Sequence, residues 1–188
     1  NRGLFLFLLL MIALDLQTLL SSHSDVENAR AMSAYMKNQF SFFGIKSESR
    51  RQLLRSFIRT NPALESNNEL KAFVLDCWSC PQREMHYCGL EVLFKYHRLW
   101  SADDLGFFEN LVATNSWWDS VDLIAPKILG AWFKRYPEHR TSTIARWLQS
   151  DNIWLQRSCL LFQLKYKEKT DTQLLTSVID QLKESKEF

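Results

Sequence analysis

Glycine and proline are scarce in this 188-residue chain, five and four of them, and no Asn-Gly or Asp-Gly joins two alternating apolar runs. Without turn punctuation or period-two patterning, an architecture built from hairpins is excluded. Cysteine and histidine number only four each. A chain this long and core-rich needs no disulfide staples, so a reducing, cytoplasmic setting is expected. No apolar run reaches the roughly 20 residues of a membrane-spanning helix. The longest, Leu4 to Leu14, lies between Arg2 and Asp15, and no small-x-small cleavage site follows it. Because the chain begins with Asn rather than Met, residues 1–14 are read as an apolar leader of doubtful nativeness, ahead of a single domain over 15–188.

What is present points to helix. Hydrophobic residues make up 46% of the chain and aromatics 13%, enough to bury a real core. Long stretches rich in Leu, Lys, Glu, Gln, Arg and Ala favour helix over strand. The net charge of +2 hides an uneven distribution. From Leu99 to Asp122 there are five acids and no base, whereas Leu123 to Lys169 carries nine Lys and Arg against three acids. A polyanion fits the second segment, and a solvated basic face fits it equally on charge alone.

Start and stop signals predict short helices over Val26–Phe40, Glu48–Thr60, Asn68–Cys80, Gln82–Leu99, Ala102–Thr114, Trp117–Tyr136, Ser142–Ser150, Asn152–Lys167 and Asp171–Ser185. Ser47 is read as the cap of the second, Asn61-Pro62 as a cap plus first-turn proline, Ser101 with Asp104 three residues on as the opening of the fifth, and Thr170 with Gln173 as a capping box. In the second helix Arg50, Arg51, Arg55 and Arg59 largely oppose Leu53, Leu54 and Ile58. Spacings of about 35 to 45 residues favour stacked helical pairs, an α-solenoid whose concave face cradles an elongated partner.

One constellation carries chemistry. In Asn115-Ser116-Trp117-Trp118-Asp119-Ser120-Val121-Asp122, Trp118 and Asp122 share a helical face, an aromatic surface beside a carboxylate. Pro126 lacks the N–H that would bond the Asp122 carbonyl, so the helix is expected to open there. On pattern alone, a core tryptophan beside a solvated aspartate is the commoner arrangement. Farther on, Asn152-Ile153-Trp154-Leu155-Gln156-Arg157 puts Arg157 in the second turn of a helix, where guanidinium and helix N-terminus both suit phosphate oxygens. Cys77-x-x-Cys80, with His86 and Cys88, offers zinc-ligand types, but the cysteines fall in an apolar helical pattern and are read as small buried hydrophobes. No metal and no cofactor is expected.

These segments, with Ala34-Tyr35-Met36-Lys37-Asn38-Gln39-Phe40, Phe43-Gly44-Ile45, Arg50 to Leu54, Gln163 to Lys167 and Ser185-Lys186-Glu187-Phe188, resemble the AlkD-like DNA alkylation repair glycosylases, built from HEAT-like helical repeats. The resemblance implies an all-α solenoid with a concave DNA-binding face. It further implies a monomer that hydrolyses the N-glycosidic bond of cationic N3- and N7-alkylated purines in double-stranded DNA. Trp118 and Asp122 match the family's catalytic aromatic and carboxylate, and Arg157 matches a DNA-backbone contact. Tyr35, Ser47, Arg51 and Lys165 match positions that line or grip the DNA cleft. The family continues past this chain's last residues with another helix pair, which adds an aromatic to the cleft, so the C-terminal helices are expected to be missing here.

The chemistry implied is coherent. An alkylated purine is already cationic and departs without a general acid, so the enzyme need only stabilise cationic character. Asp122 offsets charge building on the sugar and orients water, while the Trp118 indole face favours a nearby cation. Asp119 is the rival carboxylate, one residue from Trp118 and on another face. No lysine is poised as an amine nucleophile, so base removal without strand cleavage is expected. The rival function is a non-enzymatic helical scaffold that binds DNA or a protein in its concave face.

Overall fold

A computed structural model describes the backbone over residues 2–185 and the side chains over 12–185. The Lys186-Glu187-Phe188 end of the matched segments lies outside the described residues. Eleven α-helices are present among them and no strand, with one isolated bridge between Ser41 and Gln82. None of these helices is long and apolar enough to cross a membrane. The chain gathers into two compact units, residues 1–99 and 100–188.

The first unit holds α1 (Arg2–Ser21), α2 (Val26–Tyr35), α3 (Ser47–Thr60), α4 (Asn67–Ser79) and α5 (Arg83–Lys95). The division expected at 14/15 falls inside α1, which is continuous and packs on α3 and α4. Ala13, Leu16 and Leu20, three or four residues apart, form its buried stripe, and Asp15 and Thr18 are exposed. The short connection between α4 and α5 makes them antiparallel neighbours.

Several helix ends of this unit differ from the sequence reading. Ser47 is the first helical residue of α3, whose N-cap Lys46 makes no side-chain hydrogen bond. Asn61 closes α3 instead of opening α4, because its Nδ2 donates to the Phe57 carbonyl (2.9 Å). The cap of α4 is Ser66, in a reciprocal arrangement: Ser66 Oγ accepts from the Glu69 N–H (3.2 Å) and the Glu69 carboxylate accepts from the Glu65 N–H (2.7 Å). Helix α2 stops at Tyr35 rather than Phe40, since Lys37 and Asn38 both turn left-handed (φ 53° and 56°).

Buried polar groups tie the first unit together. Glu84, inside α5, accepts from the backbone N–H groups of Phe43, Gly44 and Ile45 (3.0, 2.9 and 3.1 Å), which pins that loop some forty residues upstream. Arg50, expected on a solvated face, is 4% exposed: its guanidinium donates to Glu91 (2.8 Å) and lies over the Tyr87 ring. Pairing inside the unit outweighs the amphipathic pattern here, as a buried cation requires. Cys77 and Cys88 are buried free thiols, and burial pushes the Cys88 thiol up to about 11.

The second unit holds α6 (Leu105–Ala113), α7 (Trp118–Leu123), α8 (Gly130–Arg135), α9 (Arg140–Leu148), α10 (Ile153–Leu161) and α11 (Thr172–Leu182). Its core is an edge-on aromatic chain in which Phe108 meets Trp132, Trp132 meets Phe133 and Phe133 meets Phe162, ring centroids 6.3, 5.5 and 5.2 Å apart. Each such pair contributes roughly 0.5–1.5 kcal/mol beyond its buried area. Ser101 and Asp104 form the expected capping box. At α11 the cap is Asp171, which accepts from the Leu174 N–H (3.0 Å), rather than Thr170. Cys159 is also buried, its thiol pushed up to about 12 by desolvation.

Helices α8 and α10 meet at Gly130. A Cβ there would stand 2.4 Å from the Phe162 carbonyl oxygen, and the Tyr166 hydroxyl donates to the Gly130 carbonyl (2.8 Å), so neither backbone is free to retreat. In an open helix Gly→Ala stabilises by about 1 kcal/mol. Here overpacking, at about 1–3 kcal/mol, outweighs that gain. Gly130→Ala is therefore expected to lower the urea midpoint, and an unchanged or higher midpoint would show the contact to be soft.

Candidate active site

The site is built on α7 and α10. Helix α6 ends at Thr114, whose N–H still bonds the Asn110 carbonyl (3.0 Å), and Asn115 then turns left-handed (φ 49°), a conformation asparagine tolerates. Ser116 Oγ donates back to the Val112 carbonyl (2.6 Å). The extended Trp117 is the N-cap of α7, its carbonyl accepting from the Val121 N–H (3.1 Å) and the Ser120 hydroxyl (3.1 Å). These contacts start the helix at Trp118, so Trp118 and Asp122 lie one turn apart on one face. Trp118 is 37% exposed, unusual for so large an apolar ring.

Helix α7 runs without a break into a π-helical segment, Ile124–Leu129, and then into α8. The opening expected between Asp122 and Pro126 is present, and its cause is the missing amide hydrogen of Pro126. Without that donor the chain widens by one residue per turn, as in the bond from the Gly130 N–H to the Ala125 carbonyl, five residues back. Short π segments of this kind recur at functional sites.

Asp122 faces Arg157 of α10. Nε donates to Oδ1 (2.7 Å) and Nη2 to Oδ2 (2.8 Å), a bidentate pair in which the arginine side chain is 27% exposed and the aspartate 38%. The carboxylate's hydrogen bonds hold the Arg157 guanidinium above its ordinary value, against the opposing effect of burial. The N-terminus of α10, read from the sequence as a phosphate seat, is occupied from within. Asn152 Oδ1 accepts from the N–H groups of Trp154 (2.9 Å) and Leu155 (3.2 Å).

The structure thus brings Asp122 and Arg157 together through α7 and α10, with Trp118 one turn from Asp122 on α7. Lys165, in the turn after α10, is exposed in the same unit. Tyr35, Ser47 and Arg51 belong to the first unit. Tyr35 is exposed at the end of α2 and Ser47 at the start of α3. Arg51 Nε lies 3.6 Å from Glu91, with Glu48 at 3.9 Å from its Nη1. Asp119 stands in the first turn of α7, where the helix dipole favours a carboxylate. His86 directs Nε2 at the Cys80 carbonyl (2.8 Å) and Nδ1 at the Arg83 guanidinium (3.0 Å), so both ring nitrogens are engaged in the packing of the first unit.

Sequence reasoning missed two features. The Asp122–Arg157 pair joins residues 35 apart, and nothing local signals it. The second is the contact between the Trp117 and Trp154 rings, centroids 5.9 Å apart. Two tryptophans each beside a helix start were the available signal.

The fold resembles a solved structure described as a predicted DNA alkylation repair enzyme from Enterococcus faecalis. The two share 29% sequence identity and a TM-score of 0.77, over 88% of this chain and 76% of that one. The sequence model of the DNA alkylation repair enzyme family matches residues 16–188, and the chain belongs to that family. A search of curated proteins finds no match.

Exposed ion pairs usually contribute about 0.2–1 kcal/mol, and a bidentate geometry belongs at the upper end. A double-mutant cycle on folding stability, Asp122→Asn against Arg157→Gln, should give a coupling near 1 kcal/mol that shrinks in 1 M salt. Zero coupling at low salt would mean that the pair does not hold α7 to α10.

Proposed function

We propose that this chain is a DNA glycosylase that hydrolyses the N-glycosidic bond of cationic N3- and N7-alkylated purines in duplex DNA, without strand cleavage. The observation that carries the reading is an exposed indole, Trp118, one helical turn from a carboxylate, Asp122, held in a bidentate grip. Membership of a DNA alkylation repair enzyme family supports DNA as the substrate.

An alkylated purine brings its own positive charge, so the leaving group needs no proton. As the bond lengthens, cationic character grows on the sugar, and a preorganised carboxylate stabilises it more in the transition state than in the ground state. Arg157 keeps the Asp122 oxygens fixed in direction and tempers their repulsion toward DNA phosphates. The Trp118 face attracts the cationic base, worth roughly 0.5–2 kcal/mol. Arg157 also meets the sugar–phosphate backbone, with Lys165, Tyr35, Ser47 and Arg51 as further contacts to DNA.

One observation favours a second reading. The ion pair gives Asp122 a structural role, so a carboxylate at this position does not by itself separate an enzyme from a scaffold that only binds DNA. Rates separate them. On duplex DNA carrying 7-methylguanine, Asp122→Asn should keep DNA affinity and slow single-turnover base release by about 10²- to 10³-fold. Trp118→Ala should slow release and weaken the preference for the alkylated duplex. If Asp122→Asn releases base at the parent rate while Asp119→Asn does not, Asp119 is the carboxylate; if neither matters, the scaffold reading stands.

Arg157→Ala is expected to weaken binding to damaged and undamaged duplexes alike and to reduce the salt dependence by roughly one phosphate contact. An effect confined to the damaged duplex would contradict the assignment.

A further inference from the structure

The bidentate pair between Asp122 and Arg157 needs two helices in one register, and a single ion pair does not set one. Two side chains joined at one point still allow α10 to roll or slide against α7, and both partners are partly open to water. A second contact lies at the starts of the two helices. The Trp117 ring, on the N-cap of α7, meets the Trp154 ring, on the second residue of α10, with centroids 5.9 Å apart and planes tilted by 49°.

Each ring is anchored at its own helix start. The Trp117 carbonyl takes two hydrogen bonds from the first turn of α7, and the Trp154 N–H is held by the Asn152 cap. Trp154 and Arg157 are three residues apart and share a face of α10, and Trp117 and Asp122 stand at opposite ends of α7's first turn and a half. The ring contact, start against start, and the ion pair, farther along both helices, together fix translation and roll. The Trp117 Nε1 adds an independent sign. It is buried with no hydrogen-bond partner, an arrangement that protein interiors avoid and that calls for a reason.

We infer that Trp117 and Trp154 are positioning residues for the reaction, a ring-on-ring clasp that sets the register of α10 on α7 and thereby delivers Arg157 to Asp122. The clasp touches neither base nor sugar and acts through the ion pair. This inference rests on Asp122 being the reacting carboxylate, but its physical core, ring contact sets ion-pair geometry, is testable without DNA.

Nitrogen-15 NMR of the Arg157 Nε–H reads the pair directly in the DNA-free protein, with the signal assigned by its loss in Arg157→Lys. Trp154→Leu should speed exchange of that hydrogen by about tenfold or broaden it away, and Trp154→Phe, which keeps a ring, should restore most of it. Trp117→Leu, made in parallel, removes the partner ring and should act like Trp154→Leu. On 7-methylguanine duplexes, Trp154→Leu should slow single-turnover release by about ten- to a hundredfold, a larger loss than in DNA affinity, because small misplacements of reacting groups act on rate. A parent-like Arg157 signal in whichever leucine variant folds overturns the inference, even if base release is confirmed. No base release from the parent chain would sink the glycosylase reading, while the NMR comparison still decides the clasp.

Discussion

A hydrogen atom that is absent shapes the second unit. Pro126 offers no N–H to the Asp122 carbonyl, and the helix cannot continue at its usual pitch. The chain answers by widening into the π-helical segment Ile124–Leu129 instead of breaking, so α7 and α8 stay one continuous rod with a step in it. That segment is almost wholly buried, with Ile124, Ala125, Pro126, Ile128 and Leu129 in the core, so the irregular turn is held by packing. Asp122 sits at its threshold. Its side chain leaves the helix where the backbone is least regular and where α10 lies alongside.

How far the sequence disclosed this varies with the range of the interaction. Helical periodicity and the Pro126 opening are local, and both were legible. The cap was legible where a single polar residue stands at the helix start, as at Ser101 with Asp104, and misassigned where neighbouring polar residues competed. At the start of α11 the competition was between Thr170 and Asp171, and an aspartate oxygen accepts the more strongly. Arg50 was misplaced for a different reason. An arginine on an amphipathic helix counts as polar in any pattern, yet its stem and guanidinium fill a buried slot once Glu91 and Tyr87 are close.

The candidate site shows the same divide. Trp118 and Asp122, four residues apart, declare their common face. That Arg157 would close on Asp122 depends on how α10 packs on α7, and so on ring contacts whose partners are 37 residues apart in sequence. Pattern gives the parts of such a site, and only packing gives their distances. The identification of the family rested on the coincidence of several motifs in order along the chain, which is information of another kind from periodicity.

The buried cysteines have a use unrelated to chemistry at the site. Cys77 and Cys88 sit in the first unit and Cys159 in the second, all sealed from water. A thiol reagent meets them only when the surrounding helices part, and then the thiolate forms at its ordinary ease. With the half-exposed Cys80 replaced by serine, the chain thus carries an internal gauge of breathing in each unit, readable as separate labelling rates under native conditions. Whether the two halves open together or one at a time is written in the ratio of those rates.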